Sequence, residues 1–172
     1  MNVETERKFL VTNDTWRNTP SIERQQLRQG YLHSASHAGA STVRVRIGEQ
    51  QAWLTIKGPT SGISRAEYEY LVPVDDAEKM LETLCSGRKI EKWRHRVPVD
   101  GMIFEVDEFC GDNEGLIVAE IELPSPNAVF PRPDWLGCEV TDDSRFHNSH
   151  LVRQPFQSWP KSEIAELGFR SH

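Results

Sequence analysis

The sequence predicts a mainly β protein of the α+β kind: eight antiparallel strands and a few helices in one domain over residues 1–172. Three observations predict it. Short runs alternate polar and apolar residues with a period of two, as in Val43-Arg44-Val45-Arg46-Ile47. Gly, Pro, Asn and Asp separate these runs. At 172 residues the chain is long enough to bury one core without disulfide or metal staples.

The elements follow in chain order. A strand is expected over 2–11, then a short helix over 13–18 capped by Thr12 or Asn13. Strands follow over 25–33, 41–48 and 51–58, the last two joined through Gly48-Glu49-Gln50. After a strand over 64–73, residues 75–86 read as a helix capped by Asp75 or Asp76, with Met80, Leu81 and Leu84 as its apolar stripe. Asp100-Gly101 joins strands over 89–98 and 101–109, the dipeptide favoured in two-residue hairpins. An eighth strand covers 115–124, and the proline-rich stretch from Pro124 to Pro133 is a loop. One helix is expected from Asp142 or Asp143 to just before Pro155, and another over 161–167.

Composition excludes several classes. Nothing approaches 18 consecutive apolar residues, so no membrane-crossing helix is predicted. The opening Met1-Asn2-Val3-Glu4-Thr5-Glu6-Arg7-Lys8 is too polar for a secretory signal. Cys85, Cys110 and Cys138 are odd in number and widely spaced, which suggests neither a disulfide framework nor a zinc site. A net charge of −6 argues against non-specific nucleic-acid binding. These readings predict a soluble cytoplasmic protein with no nucleic-acid or membrane partner.

Strand parity sorts the charges, because residues i and i+2 share a face. Strand by strand, one face of each carries Glu4, Glu6 and Lys8, then Arg44 and Arg46, then Lys57, then Glu67 and Glu69. The series continues with Lys92 and Arg94, Glu105 and Asp107, and Glu120 and Glu122. A sheet with one solvated face gives the same alternation. That reading leaves the repeated like charges two residues apart unexplained, since such pairs repel unless a counter-ion or ligand neutralises them. If all these faces line one barrel interior, eight carboxylates meet the six cations Lys8, Arg44, Arg46, Lys57, Lys92 and Arg94. Carboxylates suit Mg²⁺ or Mn²⁺, and Lys and Arg suit phosphate oxygens, so the combination fits a metal-bound chain of phosphates.

In this order the motifs resemble the CYTH superfamily, the triphosphate tunnel metalloenzymes. The resemblance runs from Glu4-Thr5-Glu6-Arg7-Lys8-Phe9 through Gln29-Gly30-Tyr31-Leu32, Arg44-x-Arg46, Thr55-Ile56-Lys57-Gly58 and Glu67-x-Glu69. It continues through Lys92-x-Arg94, Glu105-x-Asp107, Glu120-x-Glu122 and Trp135-Leu136-Gly137-x-Glu139-Val140-Thr141, with Asn148 and Leu151 beyond.

The resemblance implies a closed eight-stranded antiparallel β-barrel, or tunnel, with helices packed outside. It further implies a triphosphate-containing small-molecule substrate, held with Mg²⁺ or Mn²⁺. Glu4, Glu6, Glu120 and Glu122 would be the principal metal ligands. Glu67, Glu69, Glu105 and Asp107 would bind a second metal or hold the basic residues in place. The six cations would bind phosphates, with Lys8, Lys57 and Lys92 among the catalytic groups. Glu4 or Glu6 would share in activating water, and Tyr31 would assist proton movement.

Hydrolysis of inorganic triphosphate to diphosphate and phosphate is the leading reading. A class IV adenylate cyclase, a nucleoside or thiamine triphosphatase and a non-catalytic polyphosphate-binding module stay open. Related small proteins often pair, which leaves a homodimer open too.

Other residues read as structural. His33, His37, His95, His147, His150 and His172 form no metal-ligand pattern with the cysteines. Arg65 reads as an ion-pair partner of Glu67 and Glu69, and Arg96 as a marker of the tunnel rim. Trp53 alone among the tryptophans shares the parity of Lys57. The segment 142–168 either closes one end of the tunnel or covers the barrel exterior.

Overall fold

The computed structural model describes residues 3–33, 41–85, 87 and 89–167. His37, Ser86, Gly168 and His172 lie outside the described residues, as does the side chain of His33. The described chain is mainly antiparallel β with few helices. Its strands are β1 (Val3–Val11), β2 (Glu23–His33), β3 (Thr42–Ile47), β4 (Ala52–Lys57), β5 (Ser64–Val72), β6 (Ile90–Val99), β7 (Met102–Phe109), β8 (Ile117–Glu122) and β9 (Leu136–Glu139). The α-helices are α1 (Val74–Thr83), α2 (Asn148–Leu151) and α3 (Lys161–Glu166).

The strands hydrogen-bond in the order β5-β4-β3-β2-β6-β7-β8-β1-β9. β1 also pairs with β5, placing Val3, Glu4 and Thr5 opposite Ala66, Arg65 and Ser64. Asp100 and Gly101 both adopt positive φ, 46° and 80°, between the paired Val99 and Met102. This is the turn that matches the right-handed twist of the strands it joins.

Register carries strand parity across the whole array, because directly opposed residues in an antiparallel pair share a face. Glu6 lies opposite Glu122 and Lys8 opposite Glu120. Glu105 faces Glu120, Arg94 faces Asp107, and Gln29 faces Arg46. Thr55 lies between Arg44 and Glu69, Lys57 is opposite Glu67, and Arg65 returns to Glu4. One sheet face therefore carries all the charged positions singled out by parity.

The opposite face is largely apolar. Phe9, Val97, Phe104, Val106, Ala119 and Ile121 pack there with Trp16 and Trp135. Val45, Ile47 and Ala52 pack against Ala77, Leu81 and Cys85 of α1 and its end. At one end the charged face also turns apolar. Leu10, Ile90, Phe109 and Val118 continue the parity of Lys8, Lys92, Asp107 and Glu120, and they bury against Phe146, Leu151, Val152, Phe156 and Trp159. Helices packed on the far face are thus found for α1, whereas the C-terminal segment packs against the end of the charged face.

Five expectations change. The short helix expected over 13–18 is a 3₁₀ turn, Thr15–Asn18, with Asp14 rather than Thr12 or Asn13 at its N-cap position. The segment 136–139 is a ninth strand beside β1, where sequence gave no alternation to mark it. α1 starts at Val74 after Pro73, and neither Asp75 nor Asp76 caps it with a side chain; both lie in its first turn, where their charge suits the helix dipole. Its buried stripe is Ala77 and Leu81, while Leu84 is 56% exposed. The single helix expected before Pro155 is a 3₁₀ turn, Ser144–Phe146, followed by the four-residue α2. Asp143 caps that turn by accepting from the Arg145 backbone N–H at 3.0 Å. Tyr68 and Tyr70, on the face of β5 away from the charges, are left exposed.

Candidate active site

The charged face is organised as ion pairs. Lys8 meets Glu120 at 2.8 Å. Lys57 meets Glu4 at 2.9 Å and Glu67 at 2.7 Å. Arg65 bridges Glu4 and Glu6 at 2.9 and 3.1 Å, so its ion-pair role stands with these two carboxylates. Lys92 meets Asp107 at 2.5 Å. Arg94 donates to both oxygens of Asp107 and also reaches Glu105 and Glu120. Arg44 reaches Glu69 at 3.5 Å and Thr55 Oγ1 at 3.0 Å.

Burial makes these pairs consequential, since desolvated charges interact strongly and are costly when unpaired. Lys92 is 0% exposed, and burial, with Arg94 and Arg46 adding to it, outweighs Asp107 and pulls its pKa down to about 7. Burial acts the same way on Lys8, but Glu120 and Glu6 overcome it and raise the pKa. Burial would raise Glu120 and Asp107, yet the cations hold both below the usual carboxylate range: Lys8 and Arg94 act on Glu120, Arg94 and Lys92 on Asp107.

Arg46 is different. Among the described residues it makes no ion pair with a carboxylate, and its Nε donates to the neutral amide oxygen of Gln29 at 3.2 Å. Burial, then Arg44 and Arg94, pull its pKa down to about 10, so it stays charged at neutral pH. The adjacent Arg44 has a buried Nε with no hydrogen-bond partner.

Beyond these cations lies an acidic cavity of about 300 Å³, lined by Glu6, Glu105, Glu120, Glu122 and Arg96 together with Gly101, Met102 and Ile103. Burial and the neighbouring Glu105, Glu4, Glu6 and Glu67 push the Glu122 carboxyl up.

A CYTH domain model matches residues 2–149. The chain belongs to the CYTH family. It is 47% identical over 160 residues to an inorganic triphosphatase of Acetivibrio thermocellus, covering 92% of this chain and 99% of that protein. It is 36% identical to an inorganic triphosphatase of Nitrosomonas europaea over 87% of this chain and 96% of the relative. The crystal structure of the inorganic triphosphatase NE1496 superposes with a TM-score of 0.64 at 32% identity, covering 93% and 98% of the two chains. A putative adenylate cyclase from Bacillus halodurans has a TM-score of 0.53 at 18% identity over 73% of this chain and 83% of its own, a likeness of fold alone.

In this CYTH chain the donor chemistry suits a hard divalent cation, since the cavity offers carboxylate oxygens whose mutual repulsion is already visible at Glu122. Among the described residues, however, no three His, Cys, Asp or Glu side chains are gathered closely enough to ligate an ion as they stand. Glu4 and Glu6 are held by Lys57 and Arg65.

Several residues at the site were not on the sequence-derived list. Gln29 is 0% exposed and links Arg46 to Tyr31, donating to the Tyr31 phenol oxygen at 3.0 Å. Burial raises the Tyr31 pKa, which keeps the phenol protonated. Thr55, also fully buried, donates to Glu69 at 2.8 Å. The C-terminal segment reaches the cations too: Lys8 donates to the Phe146 carbonyl and Lys92 to Asn148 Oδ1. His147 is exposed, and partial burial of its ring, then Lys8 and Arg65, lower its pKa. Polar residues at charged-strand parity, as in Gln29 and Thr55, were the available signal.

Proposed function

We propose that this chain is an inorganic triphosphatase, a metal-dependent hydrolase that cleaves inorganic triphosphate to diphosphate and phosphate. The observation that carries the reading is the convergence of Lys8, Arg44, Arg46, Lys57, Lys92 and Arg94 on one sheet face, with Arg46 making no ion pair among the described residues. A partly buried guanidinium with no carboxylate in direct contact is suited to a phosphate oxygen. The inorganic triphosphatases at 47% and 36% identity support the same assignment.

In this reading β1 to β8 form one closed barrel with the charged face inside, and residues 1–172 are a single domain. The return pairing of β1 with β5 supports closure. Mg²⁺ or Mn²⁺ would be held by Glu6 and Glu122, with Glu4, Glu105 and Glu120 within the same acidic region. When bound, the ion neutralises phosphate charge and lowers the pKa of water.

The chain's own groups do the rest. Arg44, Arg46, Lys8, Lys57, Lys92 and Arg94 bind and align the phosphate chain, so that charge developing on the transferring group meets fixed positive charge. Asp107, Glu67 and Glu69 hold those cations in place. Water attacks the terminal phosphorus, the bridging P–O bond breaks, and diphosphate departs. Glu4 or Glu6 takes the proton from water, and Tyr31 serves as a hydrogen-bond donor.

We also read the protein as cytoplasmic. Cys85, Cys110 and Cys138 are free, as in a reducing compartment. Among the described residues, no helix is long and apolar enough to cross a membrane.

The test is a panel of inorganic triphosphate, ATP, thiamine triphosphate and long polyphosphate, each with Mg²⁺, Mn²⁺ or Ca²⁺. Phosphate release fastest from inorganic triphosphate supports the reading. Conversion of ATP to cyclic AMP without triphosphate cleavage supports a cyclase instead, and binding without turnover supports a binding module.

A further inference from the structure

Of Arg65 and the six cations assigned to phosphate, each except Arg46 makes an ion pair with a carboxylate among the described residues. What stands beside Arg46 is the amide of Gln29, and its orientation is fixed by chemistry. A guanidinium can only donate, so the amide oxygen must face Arg46 Nε. The amide nitrogen then faces Tyr31, whose phenol oxygen accepts from it. Gln29 has no solvent exposure and is paired in register with Arg46 on one side and Ile90 on the other, so the amide has no room to turn away.

A carboxylate at this position would hold Arg46 equally well. It would also cancel the charge. We propose that Gln29 is a positioning residue whose neutral amide fixes the Arg46 guanidinium for a phosphate group while leaving it without a carboxylate in direct contact. This inference rests on the triphosphate reading of the site and assigns the reason for glutamine at that place. It also accounts for Tyr31 as a partner of the amide, since the phenol oxygen takes up the amide N–H that would otherwise be buried without an acceptor.

The experiment uses the full chain with EDTA present, so that inorganic triphosphate binds without turnover. Calorimetry gives the triphosphate Kd and thermal unfolding gives Tm for the wild type, Gln29→Glu and Gln29→Met. The carboxylate variant keeps the hydrogen bond to Arg46 and neutralises it; the methionine variant keeps the volume and loses the bond. The expected result is a Kd at least tenfold weaker for Gln29→Glu with Tm at or above that of the wild type. For Gln29→Met, Kd weakens by a smaller factor and Tm falls. A merely structural role moves binding and Tm together in both variants.

Gln29→Glu binding within twofold of the wild type overturns the proposal, as does Gln29→Met binding as poorly as Gln29→Glu. If Gln29→Glu fails to fold, Gln29→Met with unchanged Kd overturns it alone. Failure of the wild type itself to bind triphosphate overturns the underlying reading of the site and is seen separately from these results.

Discussion

Asp107 accepts two hydrogen bonds from Arg94, from Nε to one oxygen and from Nη2 to the other, both at 2.7 Å. The carboxylate is 1% exposed and also receives Lys92. One buried anion therefore anchors two of the cations assigned to phosphate. Asp107→Asn would leave both without their principal counter-ion. The expected loss of stability is about 3–5 kcal/mol, the usual consequence of breaking a buried pair from one side. Urea unfolding at neutral pH measures it.

Arg46→Gln removes a partly buried charge that makes no ion pair among the described residues. Stability is expected to hold or rise, because the desolvation penalty disappears with the charge. Triphosphate KM is expected to increase about tenfold or more, as for loss of a charge-assisted hydrogen bond. Steady-state kinetics and thermal unfolding of the same sample read both effects.

Glu122 carries the pH prediction. Its carboxyl is pushed up by burial, then by Glu105, Glu4, Glu6 and Glu67. A carboxyl with a raised folded-state pKa binds its proton more tightly in the native state. Its contribution to stability is therefore present at acid pH and lost as pH rises through the folded pKa. Without metal, Glu122→Gln should raise Tm at pH 8 by roughly one or two degrees and make no difference at pH 4, where the wild-type carboxyl is already protonated. Added Mg²⁺ should raise Tm more in the wild type than in the variant.

The C-terminal segment couples packing to the cations. The Phe146 side chain is 1% exposed in a cluster with Leu10, Ile90, Phe109 and Val118, while its carbonyl accepts from Lys8. Phe146→Ala should cost about 3–5 kcal/mol. Deletion from Asp142 onward should expose the apolar end of the charged face, and bind a hydrophobic dye or aggregate. A truncated chain as stable as the full one would contradict this packing.

The charged face was legible strand by strand because side chains alternate strictly along a strand, while the pairings that bring Glu4, Arg46 and Glu122 onto one face join residues far apart in the chain. Asp100-Gly101 marked its turn by the same local logic. β9 was not legible: it spans four residues, Leu136–Glu139, and includes Gly137. That glycine is there because a Cβ would sit 2.7 Å from Thr12 Cγ2 and 2.9 Å from the Leu10 carbonyl, a tertiary contact invisible in sequence. Gln29 stands in the second-strand motif, but its role was not legible because a neutral side chain carries no charge signal, although its partner is a cation. The path of the C-terminal segment was open for a similar reason. Whether Phe146 and Leu151 meet one sheet face or the other depends on pairings between distant strands.

The most direct measurement of the central claim is phosphate release from inorganic triphosphate by the purified protein, with Mg²⁺ or Mn²⁺ and with EDTA. One phosphate and one diphosphate per triphosphate are expected, formed only with metal and strongly reduced by Arg46→Gln. No release with either metal, or release unaffected by EDTA, would contradict it.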